Sequence, residues 1–218
     1  MYNGNIKTDW NKYYEERKKN NSKIILAITK NTRKVTDNII LNMLKNYKLE
    51  INSIIELGGA DSCFYKTLNK EFKSCDYTVI DNSEIGIEIF NQKYKNDKTK
   101  AIKQDILLGE ITNLKSDLVF SAGLIEHFNI NDTAKMIEKH FNFCNNNGIV
   151  LITFPTPTIL YRILRKISEI IGIWKFPDER PLKKREVILE CQKYGKVQKV
   201  KLNWLIGLTQ YIILIKKQ

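Results

Sequence analysis

The sequence predicts an α/β fold, doubly wound around a mainly parallel seven-stranded sheet with an antiparallel strand at one edge. Three observations predict it. Short apolar runs alternate with segments of helical spacing from Ile51 onward. Early runs stop at Gly58-Gly59 and at Asp81, where a buried parallel strand would hand over to a ligand-facing loop. The last two runs, residues 197–202 and 211–215, follow each other without a helix between them, so they pair antiparallel.

The elements follow in order. Residues 9–19 are polar apart from Trp10, Tyr13 and Tyr14 and read as a short exposed helix. Residues 34–47 place Ile39, Ile40, Met43, Leu44 and Tyr47 at helical spacing. A strand at 51–57, a helix at 62–72, a strand at 77–80, a helix at 84–95 and a strand at 101–103 come next. A strand at 117–121 leads to a helix at 132–143, with Asp132 or Asn131 as its cap. Asn145-Asn146-Asn147-Gly148 reads as a turn before the strand 149–154, which Pro155 and Pro157 end. An amphipathic helix over 159–174, a loop with Pro177 and Pro181, and a helix over 184–194 precede the closing strand pair. The whole of 1–218 reads as one domain.

Composition narrows the function classes. Thirty-six Lys and Arg against 24 Asp and Glu leave a net charge of +12, which favours anionic partners. The excess is mostly lysine, as an AT-rich genome imposes at tolerant surface sites, and no Lys/Arg block is long, so nucleic acid is not the expected partner. Four scattered cysteines and two histidines give no zinc spacing, so no metal is expected and the thiols read as reduced. Polar residues after Met1 do not resemble a secretory leader, and Arg162, Arg165, Lys166 and Glu169 interrupt the most apolar stretch, so no membrane span is expected. A cytoplasmic protein is the expectation.

Ligands of open α/β sheets bind at the carboxyl ends of strands. The first strand ends Glu56-Leu57-Gly58-Gly59-Ala60-Asp61-Ser62, and glycine there lets backbone approach a ligand closely. The second ends at Asp81-Asn82, and a carboxylate there can accept two hydrogen bonds from a ribose diol. Asp105 follows the third and is able to accept from an exocyclic adenine amine. Together these acids and glycines suit adenosine.

On these residues the chain resembles the class I S-adenosylmethionine-dependent methyltransferases, in the branch that modifies small molecules. Ile54-Ile55-Glu56-Leu57-Gly58-Gly59-Ala60 resembles the first motif of that family, Thr78-Val79-Ile80-Asp81 its ribose-binding strand end, and Lys103-Gln104-Asp105-Ile106 its adenine contact. Asp117 to Phe128 resembles the fourth strand and its loop, and Asn147 to Thr153 the fifth. The resemblance implies a Rossmann-like fold and S-adenosyl-L-methionine as cofactor. It places Glu56, Gly58, Gly59 and Ala60 beside the methionine part, Asp81 and Asn82 at the ribose, Asp105 and Ile106 at the adenine, and Ser121, Ala122 and Leu124 near the sulfonium. It also implies that residues 1–33 cover the cofactor and that 156–185 form a helical insert on the acceptor side. One departure stands out: Ala60 and Ser62 replace the usual second and third glycines, and serine adds a side chain where backbone lies close to cofactor.

Other residues are open to functional and structural readings. His127 follows the fourth strand and is either a general base or a wall residue, whereas His140 reads as a helix-surface residue. Tyr14 and Arg17 either meet the methionine carboxylate and the substrate or simply pack. Arg180, with Lys183, Lys184 and Arg185, either meets an acceptor phosphate or is solvated. The 159–174 helix carries Leu160, Ile163, Leu164, Ile167, Ile170, Ile171 and Trp174 on one stripe; it is a packing helix, an acceptor lid or a membrane-surface helix. Methyl transfer to a small molecule is the expectation, with a sugar or phosphorylated cell-envelope precursor as the favoured acceptor. An RNA-directed methyltransferase and a non-catalytic binding module with a degenerate site are the alternatives. A nicotinamide oxidoreductase would want G-x-G-x-x-G where the chain has Gly58-Gly59-Ala60-Asp61-Ser62.

Overall fold

The computed structural model describes residues 7–19, 23–45, 47, 50–109, 113–204 and 209–218. Parts of the 1–33 segment, residues 1–6 and 20–22, thus lie outside the described residues. The strands β1 (Ser53–Leu57), β2 (Asp76–Asp81), β3 (Thr99–Lys103), β4 (Ser116–Ala122), β5 (Cys144–Pro155), β6 (Gly195–Asn203) and β7 (Gln210–Lys217) form one seven-stranded sheet. Its order is β3-β2-β1-β4-β5-β7-β6. The strands β1 to β5 pair in parallel, and β7 runs antiparallel to both β5 and β6. The reversed strand therefore sits one place in from the edge. Six residues separate Asn203 from Gln210, too few for the crossover a parallel partner needs, so β7 pairs antiparallel with β6 and fills the place beside β5.

Among the described residues seven helices accompany the sheet: α1 (Trp10–Lys19), α2 (Lys23–Lys45), α3 (Tyr65–Glu71), α4 (Glu84–Tyr94), α5 (Ile130–Phe143), α6 (Ile159–Ile170) and α7 (Lys184–Cys191). Alternate strand residues point to opposite faces, and this period of two divides the interior into two cores. Ile54, Val79, Phe120 and Leu151 meet α2, α3 and α4 on one face. Ile55, Ile80, Val119 and Ile152 meet α5 and α7 on the other. Because chain order reverses between β1 and β4, a crevice opens at the carboxyl ends of these strands.

Several element ends differ from the sequence reading for local reasons. Helix α5 is capped by Asn129, whose side chain accepts from the Asp132 N–H at 2.9 Å, not by Asn131 or Asp132. The Asn145–Gly148 cluster is no free turn. Strand β5 runs through it, the register jumping from Ser116↔Cys144 to Leu118↔Ile149 with Asn147 at φ 63°, so a bulge absorbs the extra residues. Helix α6 ends at Ile170 because Gly172 takes φ 71° and its N–H reaches the Glu169 carbonyl, closing the last turn. Helix α2 begins well before the periodic segment that announced it.

Candidate active site

A cavity of about 420 Å³ lies at the carboxyl ends of β1 to β4, within the roughly 300–1,000 Å³ usual for small-molecule sites. Gly58, leaving β1, holds φ 69° while its N–H donates to the Ile80 carbonyl at 2.8 Å. A Cβ on it would come within 2.7 Å of Leu124, and one on Gly59 within 2.2 Å of the Glu56 side chain. Backbone alone thus borders the cavity here.

Asp81 is buried at the end of β2. Its Oδ2 accepts from the Ala60 N–H at 3.1 Å and its Oδ1 from the Ser83 N–H at 2.7 Å. Burial pushes the carboxyl above its ordinary value, and the N–H groups of Ser83, Ala60 and Asn82 oppose that rise. Ala60 is fully buried and serves the site through this amide, while Asn82 lines the cavity from the surface. Asp105 and Ile106 line it after β3. Asp105 spends Oδ1 on the N–H groups of Leu107 and Leu108, at 2.9 and 3.1 Å.

The serine expected to crowd the cofactor is occupied inside the protein. Ser62 Oγ accepts from the Tyr65 N–H at 3.0 Å and lies 3.2 Å from the Tyr77 hydroxyl. Tyr77 in turn donates to Glu56 Oε2 at 2.6 Å. Burial pushes Glu56 up to about 8 against these hydrogen bonds, so at neutral pH it is a carboxylic acid under the glycine turn.

After β4, Ala122, Gly123 and Leu124 line the cavity, but Ser121 does not: it is fully buried and bonds His140 Nε2 at 2.8 Å. His140 is consequently a core residue, correcting the surface reading. Its Nδ1 sits 2.7 Å from the Met136 carbonyl, which can only accept, so Nδ1 carries the proton and Ser121 donates to Nε2. Burial lowers His140 to about 4 despite that bond. In sequence it follows the polar pair Glu138-Lys139, yet its own face of α5 turns to β4.

Helix α1 closes one side. Tyr14 is buried, and Arg17 pairs with Asp61 Oδ2 at 3.0 Å; both line the cavity. Burial and then the nearby Asp81 raise the Tyr14 phenol well above its ordinary value, so it stays neutral. Trp10 meets the His127 ring edge-on, centroids 4.9 Å apart, and Phe176 stands behind both.

His127 lies in the cavity wall with Nδ1 3.0 Å from Asp178 Oδ1. Asp178 also accepts from the Thr8 N–H and hydroxyl. Burial pushes the Asp178 carboxyl up, but the bonds from His127 and Thr8 outweigh it and hold the group below its ordinary value. Beside them, Glu126 and Glu179 line the cavity, raised chiefly by burial, Glu179 to about 8. Among the described residues Glu126 Oε2 has no hydrogen-bond partner. Arg180 is not brought into the cavity: its guanidinium pairs with Glu186 at 2.8 Å and donates to Thr133 Oγ1.

Sequence reasoning missed Glu126, Asp178, Glu179 and Phe176. Glu126 adjoins His127 within the quoted motif and was within reach. The other three sit between Pro177 and its neighbours in an aperiodic loop, where no local signal marks them.

No protein-family model matches the sequence, and neither does any curated protein. Solved structures do match. A magnesium protoporphyrin IX methyltransferase from Synechocystis, with bound S-adenosylhomocysteine, superposes with a TM-score of 0.76 at 12% identity, over 97% of this chain and 96% of that one. The N-methyltransferase NodS from Bradyrhizobium japonicum, also with S-adenosylhomocysteine, gives 0.64 at 14% identity over 84% and 86%. An S-adenosylmethionine-dependent methyltransferase from Clostridium acetobutylicum gives 0.65 at 14% over 83% and 90%. Strand order, the crevice at the β1/β4 switch and these superpositions together establish that the chain has the fold of the class I S-adenosylmethionine-dependent methyltransferases.

Proposed function

We propose that this protein transfers the methyl group of S-adenosylmethionine to a hydroxyl- or amine-bearing small molecule. The observation that carries the reading is Asp81, a buried carboxylate held by backbone N–H groups beside a turn where Gly58 and Gly59 border the cavity with backbone, Leu124 and Glu56 filling the places their side chains would take. With three backbone N–H groups on it, the carboxylate keeps a further lone-pair direction for a ribose hydroxyl. Asp105 and Ile106 stand where an adenine would lie, and the Arg17–Asp61 pair where a methionine head group would. The residues therefore fit the cofactor.

S-adenosylmethionine, when bound, supplies a methyl group that its sulfonium already activates. What remains for the chain is to hold, orient and dehydrate, and alignment alone is worth on the order of 7 kcal/mol or more. Gly123 and Leu124 wall the acceptor side, and Trp10, Tyr13 and Phe176 keep water out. The Asp178 carboxylate accepts from His127 Nδ1–H and so leaves Nε2 as the proton acceptor for an acceptor hydroxyl or ammonium. The orphan Glu126 carboxyl offers a further hydrogen-bonding atom on that side. Of the basic loop that suggests a phosphate-bearing acceptor, Arg180 is given to Glu186; the acids around His127 favour an uncharged or amine-bearing acceptor, a sugar among them.

Calorimetry tests the cofactor half. Asp81→Asn keeps the volume but removes the charge, and S-adenosylmethionine should bind about 10- to 100-fold more weakly, the worth of hydrogen bonds to an ionised group. Equal affinity in the variant refutes the site. Once an acceptor is in hand from a screen with labelled methyl donor, His127→Ala should lower kcat by about 10²–10⁴-fold with little change in KM. An undiminished kcat leaves His127 a wall residue.

A further inference from the structure

We infer that α6 docks the protein onto an anionic lipid bilayer, its outer apolar face seated among the headgroups. The inference is independent of the catalytic reading. The stripe that the sequence offers for packing is on the outside of the molecule. Ile159 is 81% exposed, Ile163 52%, Ile167 49% and Ile170 74%, and Leu160, Ile171 and Ile173 are about half exposed or more. The side of α6 that meets the protein is instead Tyr161 and Arg165, which are buried. At about 100° per residue the exposed isoleucines fall in one sector nearly opposite Tyr161 and Arg165, so the helix presents its apolar face straight outward. The packing-helix reading is thereby overturned: a buried arginine needs partners, and the fold supplies them from Glu169, Glu179 and the Trp174 ring, turning the helix by that side.

A contiguous apolar surface of this kind on a water-facing helix marks an interaction site. Charge selects its occupant. Arg162 and Lys166, exposed and without an ion pair among the described residues, border the apolar sector on one edge. That is the cross-section of a helix lying in a bilayer interface, apolar residues down and basic residues at the headgroup level. The net charge of +12 draws the chain to anionic lipid and opposes pairing with a second copy. Twelve residues are too short to span a bilayer, and among the described residues no helix is long and apolar enough to do so. Lying flat is the geometry left to it. The inner side of the same helix holds the cavity wall, since the Tyr161 hydroxyl and Arg165 both bond Glu179, so docking sets the cavity beside the lipid surface.

Cosedimentation of the full chain with vesicles tests this. Vesicles of equimolar phosphatidylcholine and phosphatidylglycerol should bind the protein about tenfold or more tightly than phosphatidylcholine alone. Ile163→Ser with Ile167→Ser, on exposed positions, should lose vesicle binding while keeping the circular dichroism spectrum. Arg162→Gln with Lys166→Gln should lose most of the anionic preference, and Lys70→Gln with Lys100→Gln, equal in charge but elsewhere on the surface, should not. Absence of vesicle binding, undiminished binding by the isoleucine variant, or equal loss in the control lysine pair each overturns the inference. So does a dimer in sedimentation that the isoleucine variant abolishes without any vesicle binding, which would make a second copy the occupant. S-adenosylmethionine calorimetry on the isoleucine variant, expected unchanged, keeps this outcome separate from that of the cofactor site.

Discussion

The sheet-end loops around Gly58 and Asp81 and the helix α6 invert each other's usual chemistry. At the sheet end, polar groups are inside: Glu56, Asp81, Ser121 and His140 are all buried, and each has a named hydrogen-bond partner. On α6, apolar groups are outside. The first region is costly to desolvate, and the hydrogen bonds of these four groups offset that cost. The second exposes apolar area that burial would normally remove from water. Buried polar groups with satisfied partners therefore mark a rigid ligand cradle, and exposed apolar ones mark a surface awaiting contact.

Three experiments sharpen that contrast. The largest effect is expected at the core pair Ser121–His140. Burial depresses His140 to about 4, while an unfolded histidine titrates near 6.5, so the unfolded chain binds the extra proton first. Its contribution is complete above about pH 6.5 and is lost as pH falls to about 4, on the order of 3 kcal/mol. The stability advantage of wild type over His140→Gln in urea should shrink by about that amount between pH 7 and pH 4; a constant difference would show that His140 titrates alike in the folded and unfolded chain.

A smaller effect is expected at the turn. Gly58→Val forces a β-branched residue to φ 69° with its Cβ against Leu124, costing about 2 kcal/mol. Urea unfolding reads that cost, and an unchanged midpoint would mean that the turn relaxes freely. The smallest is expected on α6. Ile163→Ser with Ile167→Ser should alter stability by no more than about 0.5 kcal/mol in the same assay, since both side chains are already about half in water. A loss of about 2–5 kcal/mol, the range for a core isoleucine, would place the stripe in the interior and erase the contrast.

Much of this was legible along the chain. The short apolar strands, the Gly58-Gly59 turn and Asp81 lie within short segments whose local pattern is enough to read, and the turn and Asp81 line one cavity. The substitution of Ser62 for glycine looked like crowding in one dimension; in three its hydroxyl turns to Tyr65 and Tyr77. Arg180 looked available beside Lys183 and Lys184, but Glu186, in the first turn of α7, takes it. Asp178 and Glu179 gained their meaning only when the insert loop folded back to His127 and Tyr161.

By itself, then, the sequence determined the strand order's raw material, the glycine turn, the acid at the end of β2 and the amphipathic character of α6, because each depends on residues a few positions apart. Tertiary structure alone decided which way α6 turns, which histidine is buried and which acids surround His127. The physical reason is that periodicity sets the relative placement of side chains around an element, while the side that faces inward is chosen by partners distant in the chain: Glu179 for Arg165, Ser121 for His140 and Asp178 for His127.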